Sequence, residues 1–394
     1  MRIDQVDVFN LYMEYPDRCG FRYAGGLVTS RCTSLIRVTA DTGLTGWGAA
    51  YSYPALVRII VENHLGPHLI GRDPRNVEGL WEKMYGLTRW YGRKGVAISA
   101  LGGLDIAFWD LRGKASGKPV YELLGAQRDT VPAYASGLFW QDDVTMLEEE
   151  ARRHMDKGFR RVKSRLGRNR QYDVAALDAI RRGMGPEGDI LVDGSHRYTV
   201  ESAESMGKIL AERRVFWFEE PFVPEDIDSY VTLRKRLAVP LAAGENDFGV
   251  QGFRETLRAG ALDIAQPDAC RAGGITECRR IADMAADYNV DVAPHTWSDA
   301  VALMANAHLV ASLPHGLTVE VDQTGNPFID ELLAERLQIK DGLLHLPKEP
   351  GLGIEINMDV LNRLRLREDH MMPDGNYSDL IFGPQYCEEP DPYQ

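Results

Sequence analysis

Along the C-terminal two thirds of the chain, short apolar runs, most of them closing on a charged residue, alternate with stretches of helical periodicity. Eight such runs stand out: 130–134 (TVPAY), 160–165 (RRVKSR), 190–193 (ILVD), 216–219 (FWFE), 240–245 (PLAAGE), 264–268 (IAQPD), 290–295 (VDVAPH) and 317–320 (LTVE). They recur at roughly the interval that a strand, a crossover helix and two short loops consume. Between them, apolar residues lie three and four apart, as at Val174, Leu177 and Ile180 or Cys278, Ile281, Ala282 and Ala285, which marks helices. Eight strands alternating with helices over roughly 190 residues predict a (β/α)8 barrel, an α/β fold whose active site forms at the C-terminal ends of its strands.

The N-terminal third has a different pattern. Alternating runs at 2–9 and 33–38, a turn at Asp41-Thr42-Gly43 and a GWG segment at 46–48 predict strands, and helical patterns follow over 55–65, 76–88 and 96–116. A chain of 394 residues exceeds one ordinary domain. The expected division is an α+β capping domain over 1–128, a barrel over 129–325 and a C-terminal segment over 326–394 that returns to the cap. The stretch after Asp369, rich in Pro, Asp and Tyr, is expected to form a surface arm.

Composition narrows the partners. The chain carries 45 basic against 58 acidic residues, a net charge of −13, which argues against nucleic acid or an anionic membrane surface. There is no apolar run near 18 residues and no charged-then-apolar leader at Met1, so the expectation is a soluble, cytoplasmic protein. The five cysteines, at 19, 32, 270, 278 and 387, are odd in number and without CxxC spacing, which argues against disulfides and a zinc cluster. The expected partner is a small molecule, and the expected assembly a homo-oligomer.

The chemistry concentrates at the predicted strand ends. Asp193, Glu219 and Glu245 recur at equal intervals of 26 residues, one per strand, so they should stand side by side on neighbouring parallel strands. One such carboxylate is ordinarily a cap or an ion-pair partner. Burying three together costs several kcal/mol unless a cation compensates, and an oxygen-only ligand set favours Mg²⁺ over Zn²⁺, one ion per subunit. His295 and Asp268 close adjacent strands and form a candidate base dyad in which the carboxylate fixes the imidazole tautomer; the competing role for Asp268 is the N-cap of a helix beginning near Gly274.

Lys163 and Arg165, two apart on one strand, should both point into the barrel, where two cations suit an anionic substrate and its developing charge. Glu320 is either a protonated donor to an oxyanion or a supporting carboxylate. Arg22, Tyr23 and Tyr51, on lid loops near 19–24 and 51–54, are candidate contacts to substrate hydroxyls or a distal carboxylate. His64 and His68 have i, i+4 spacing, but Gly66-Pro67 between them is expected to break the helix. Gly102-Gly103 and Gly273-Gly274 lack the Lys-Ser/Thr of a phosphate loop.

These segments resemble the enolase superfamily, specifically its mandelate racemase subgroup. The resemblance runs nearly end to end through GWG (46–48), ALGGLDIAFWD (100–110), VDG (192–194), WFEEP (217–221), GEN (244–246), QPD (266–268) and PH (294–295). EVD (320–322) with NPF (326–328), then GLGIE (351–355), looks like members acting on hexarates, their lactones and related acid sugars.

The resemblance implies a modified barrel of the enolase type. It implies Mg²⁺ on Asp193, Glu219 and Glu245, and abstraction of the proton α to a substrate carboxylate to give an enediolate. Racemases of this subgroup place a second base at the second lysine of a Lys-x-Lys pair. Here that position is Arg165, too basic to accept a proton at pH 7. That departure favours β-elimination of water to a 2-keto-3-deoxy acid. The alternatives are cycloisomerisation of an acid-sugar lactone or anhydro ring, epimerisation, and a non-catalytic barrel that binds a sugar acid.

Overall fold

The computed structural model describes residues 1–16, 20–126, 128–367 and Tyr393; Cys19, Cys387 and, Tyr393 apart, the arm after Asp369 lie outside the described residues. The chain opens on β1 (Ile3–Glu14), then a small hairpin of β2 (Phe21–Tyr23) and β3 (Gly26–Val28), then β4 (Ser30–Ala40) and β5 (Thr45–Ala50). β4 lies between β1 and β5, antiparallel to both. The hairpin occupies part of what the sequence predicts as an open lid loop.

Helices follow at Pro54–Arg58, Val77–Thr88 and Val96–Ser116. The predicted break at Gly66-Pro67 does not occur. The first helix passes into a π-helical turn, Ile59–Leu65, in which the Gly66 N–H bonds the Val61 carbonyl five residues back, and then into Gly66–Leu69. The wider turn accommodates a residue with no N–H to donate.

The barrel is built from β6 (Thr130–Ser136), β7 (Arg161–Arg165), β8 (Asp189–Asp193), β9 (Val215–Glu219), β10 (Leu241–Ala243), β11 (Ile264–Ala265), β12 (Asp291–Val292) and β13 (Val319–Asp322). β6 to β12 pair in sequence order, all parallel, and β13 pairs parallel with β6. The ring closes where the Val292 backbone bonds His315 and Leu317 at 3.0 and 2.8 Å. Tyr134, Leu191, Trp217, Ala242, Ile264 and Ala293 plug the interior. Strand alternation then sends Lys163, Asp193, Glu219, His295 and, opposite Tyr134, Glu320 inward as well.

The last three strands before closure are shorter than their apolar runs. Pro267 and Pro294 have no N–H for the ladder, so Asp268 and His295 lie just past β11 and β12 rather than on them. Glu245 is also past its strand. On β10 the inward residue is Ala242, so alternation alone would turn position 244 inward. Gly244, at φ +128°, redirects the chain and brings Glu245 into the mouth instead.

Gly102 sets how closely the cap docks on the barrel. A Cβ at Gly102 would lie 2.7 Å from the Ala269 carbonyl oxygen and 2.8 Å from the Gly274 nitrogen, so the helix Val96–Ser116 touches barrel backbone directly. The buried ion pair Arg31–Asp322, at 2.7 Å, and the bond from Thr33 Oγ1 to Asp299 Oδ2, at 2.6 Å, complete the seam. After β13 a hairpin, β14 (Gln338–Lys340) and β15 (Leu343–His345), pairs antiparallel with the start of β6. The helix Met358–Leu364 then reaches the cap, where the Leu366 N–H donates to the Asn10 carbonyl. Among the described residues no helix is long and apolar enough to cross a membrane. Cys32, Cys270 and Cys278 are buried free thiols.

Candidate active site

At the C-terminal end of the barrel, ligand atoms of Asp193, Glu219 and Glu245 come within 4.8 Å of one another. Their spacing and all-oxygen chemistry fit a hard divalent cation. Electrostatics agrees. Burial raises the Glu219 carboxyl to about 7 against the pull of Lys163, and burial likewise raises Glu245. A bound cation relieves both. Two of the three carboxylates are braced: Asp193 Oδ1 accepts the Ser195 N–H at 2.7 Å, and Glu219 Oε2 accepts the N–H of Nε1 of Trp217, the barrel plug, at 3.0 Å.

Lys163 is fully buried, with Nζ 2.7 Å from Glu219 Oε1 and 2.8 Å from Glu320 Oε1. Burial opposes its charge, but the two carboxylates outweigh it and raise the ammonium above its ordinary value. The same pairing, against the cost of burial, holds Glu320 down at about 2. Of the two readings open for Glu320, this environment favours the ionised, supporting carboxylate; its Oε2 accepts the Thr296 N–H at 3.0 Å. Arg165 lies between the rings of Phe139 and Trp297, 5.2 and 5.4 Å from their centroids, with Nε 3.2 Å from Asp193 Oδ2. Its Nη1 is buried and has no protein partner.

Across the mouth, His295 Nδ1 is 2.8 Å from Asp268 Oδ2, and Nε2 faces Glu245 at 3.6 Å. Burial lowers the basicity of His295, yet Glu245 and the bond to Asp268 raise it to about 9. Asp268 bonds His295 and also caps a helix, although that helix is the short Ala269–Ala272 and not the one at Gly274. Asn306 Nδ2 donates to Asp268 Oδ1 at 3.1 Å, to the His295 carbonyl at 3.0 Å and to Thr296 Oγ1 at 2.9 Å. Sequence reasoning missed this anchor, because Asn306 sits in a helix, far from any strand end.

Tyr23 and Tyr51 line the mouth, a cavity of about 780 Å³, and Tyr51 stacks on His295 at 6.2 Å. Arg22 does not line it. Alternation in β2 turns Phe21 and Tyr23 toward the cavity, which leaves Arg22 exposed on the other side, so the expectation of a substrate contact there is corrected. Also missed was His196, which lines the mouth and bonds the buried Glu220 at 2.6 Å. Ser195, His196 and Glu220 all take left-handed backbone conformations, at φ +49°, +61° and +34°, which no residue type here advertises. A second cavity, of about 610 Å³, is lined by Leu44, Met304 and Pro350 and holds none of these groups.

Residues 6–125 match the family model for the N-terminal domain of mandelate racemase and muconate lactonizing enzyme, and residues 146–360 match the enolase C-terminal domain-like model. A D-galactarolactone cycloisomerase of Agrobacterium fabrum is 36% identical over 348 residues, 85% of this chain and 92% of the relative. An arabinonate dehydratase of Saccharolobus solfataricus is 32% identical, covering 84% of this chain and 90% of the relative. The crystal structure of a racemase from Streptomyces coelicolor A3(2) with bound magnesium superposes with a TM-score of 0.85 at 28% identity, covering 92% of this chain and all of that one.

Proposed function

We propose that this chain, which belongs to the enolase superfamily in its mandelate racemase subgroup, is a Mg²⁺-dependent dehydratase that converts an acid sugar to a 2-keto-3-deoxy acid. The observation that carries the reading is the asymmetry of the mouth. One face offers a histidine oriented by a carboxylate, whose pull toward the charged form comes first from Glu245, a group the cation would neutralise; the other offers Lys163 and Arg165, held as cations. Glu320 is not one of the three carboxylates, so its pairing with Lys163 at 2.8 Å favours the ammonium independently of a cation on the triad. Inversion at C2 needs a proton acceptor or donor on each face, whereas elimination needs only one.

When bound, Mg²⁺ supplies the positive charge that neutralises the triad and polarises the substrate carboxylate. His295 Nε2 takes the C2 proton, while Asp268 holds Nδ1–H and steadies the imidazolium that results. The electron pair passes to the carboxylate oxygens, where Lys163 and the free Nη1 of Arg165 meet the developing charge. It then returns to form the C2–C3 double bond as the C3–O bond breaks. The imidazolium gives its proton to the departing hydroxyl, water leaves, and the enol tautomerises to the ketone.

A cycloisomerase reading is favoured by the wall of Phe21, Phe139 and Trp297 beside Arg165, since aromatic faces suit the apolar side of a lactone or anhydro ring. Turnover of aldonates, aldarates and their lactones in D₂O with Mg²⁺, followed by NMR, separates the outcomes. Deuterium at C3 of a keto acid is expected. Deuterium at C2 of an intact, inverted polyol defeats dehydration in favour of epimerisation. A lactone opened without loss of water, with deuterium beside the carboxylate, establishes the cycloisomerase instead.

A further inference from the structure

Two buried arginines, one at the cap seam and one in the barrel mouth, face carboxylates: Arg31 faces Asp322, and Arg165 faces Asp193. Arg271, on the short helix after β11, is different. It lines the same mouth, yet among the described residues no carboxylate lies within ion-pairing distance of it. Glu220, the one other carboxylate lining that cavity besides Asp193 and Glu245 of the triad, is already engaged by His196 at 2.6 Å.

Arg271 is nevertheless held in place. Nε donates to the Glu245 carbonyl at 2.9 Å and Nη2 to Asn246 Oδ1 at 3.0 Å, and the guanidinium lies over the rings of Tyr51 and Phe248, 5.4 and 5.6 Å from their centroids. Of its five N–H donors these bonds use two, and the others remain for a ligand. An arginine pinned by neutral acceptors and aromatic faces keeps its full charge for an incoming anion, and its planar fork matches a carboxylate in bidentate fashion.

Its placement says which anion. Tyr51 touches both Arg271 and His295, stacking on the imidazole at 6.2 Å. The guanidinium is thus offset from the base by the breadth of one aromatic ring. In the pose proposed below, the C1 carboxylate sits on the triad, C2 faces His295 and the far end of the substrate lies toward that offset.

Building on the reading of the mouth as an acid-sugar site, we propose that Arg271 is the subsite for a second, distal carboxylate, and that the substrate is therefore a diacid. An aldarate places a charged group there; an aldonate leaves the guanidinium facing a neutral hydroxymethyl, with its remaining N–H donors unmatched by an anion. Arg271 is on this account a specificity residue, and the proton transfer does not involve it.

The test measures binding apart from turnover. His295→Asn protein, which has no base, is loaded with Mg²⁺ and titrated calorimetrically with matched aldarate and aldonate pairs spanning the C2 to C5 configurations. The best diacid is expected to bind at least tenfold more tightly than its monoacid. Arg271→Met should erase that preference by weakening the diacid alone, and Arg271→Lys should restore part of it. Unchanged monoacid affinity in Arg271→Met is the internal control for folding.

Equal affinity for both members of every pair overturns the assignment, and so does an equal loss for both in Arg271→Met, since a merely structural arginine would weaken both alike. If aldonates bind and are dehydrated by the unmodified enzyme without any diacid preference, Arg271 loses its role while the dehydratase stands. Failure of every acid to bind overturns the acid-sugar reading, and this inference with it.

Discussion

His295 Nδ1 lies 2.8 Å from Asp268 Oδ2, and the other oxygen of that carboxylate is held by the Cys270 N–H and by Asn306 Nδ2, each at 3.1 Å. The imidazole therefore has one tautomer open to it, with Nε2 turned to the mouth. His295→Asn should abolish both turnover and exchange of the substrate α-proton with D₂O. Asp268→Asn should lower kcat by about 10²- to 10⁴-fold, because the ring loses the partner that steadies its charged form. Exchange surviving in His295→Asn but absent in Lys163→Ala would transfer the base to the other face.

Removal of divalent metal should abolish activity, and Glu219→Gln should lower it by orders of magnitude. Mg²⁺ should raise the Tm of the parent, by about 2.7 kcal/mol of stabilisation at a hundredfold excess over Kd, and raise that of Glu219→Gln far less. Trp217→Phe removes the indole bond that orients Glu219 and should weaken Mg²⁺ binding by about 10- to 100-fold in a metal titration. Undiminished activity after exhaustive EDTA treatment would end the metal assignment.

On the proposed reading, Arg165 steadies charge and does not move a proton. Arg165→Lys, which keeps the charge but loses the flat fit between Phe139 and Trp297, should retain measurable kcat. Arg165→Met should lose about 10²- to 10³-fold, as when one donor to a developing oxyanion is removed. C2-inverted product from Arg165→Lys would mean that a second base had been created there.

His308 supplies a pH dependence that is independent of the mouth. Its Nδ1 accepts the Tyr121 N–H at 3.0 Å and Nε2 is 3.1 Å from the Leu352 carbonyl, which seals the neutral ring between the barrel, the cap and the C-terminal segment. Burial lowers it from 6.5 to about 4. A depressed value means that the unfolded chain takes up the proton first. Its contribution is complete above pH 6.5 and lost as pH falls through about 4, roughly 3 kcal/mol in all. Tm should decline across that window in the parent, and His308→Gln should flatten this part of the profile. An unaltered slope in the variant would exclude His308 as the cause.

Much of this protein is legible locally. The barrel follows from a repeating βα length, and Asp193 and Glu219 follow from carboxylates that end apolar runs on adjacent strands. Lys163 and Arg165 follow from simple alternation. All of these depend on backbone periodicity, which is a short-range property.

Other features depend on how the chain is turned or met from afar. Glu245 reaches the mouth through the redirected backbone at Gly244, while Arg22 leaves it because β2 forms a hairpin strand in which every second residue faces away. Trp217 and Asn306 carry no pattern that ties them to Glu219 and Asp268. Arg31 and Asp322 are 291 residues apart, and Arg271 stands out only once every nearby carboxylate is seen to be engaged elsewhere.

The order of strands and the identity of most charged groups at their ends were thus determined by sequence alone, since period and residue type suffice to place them. Which carboxylate braces which cation, and that Arg271 meets the cavity held by neutral acceptors, was decided only by the tertiary structure. Those pairings join residues that no local rule brings together, and they exist only when the ring has closed and the cap has docked upon it.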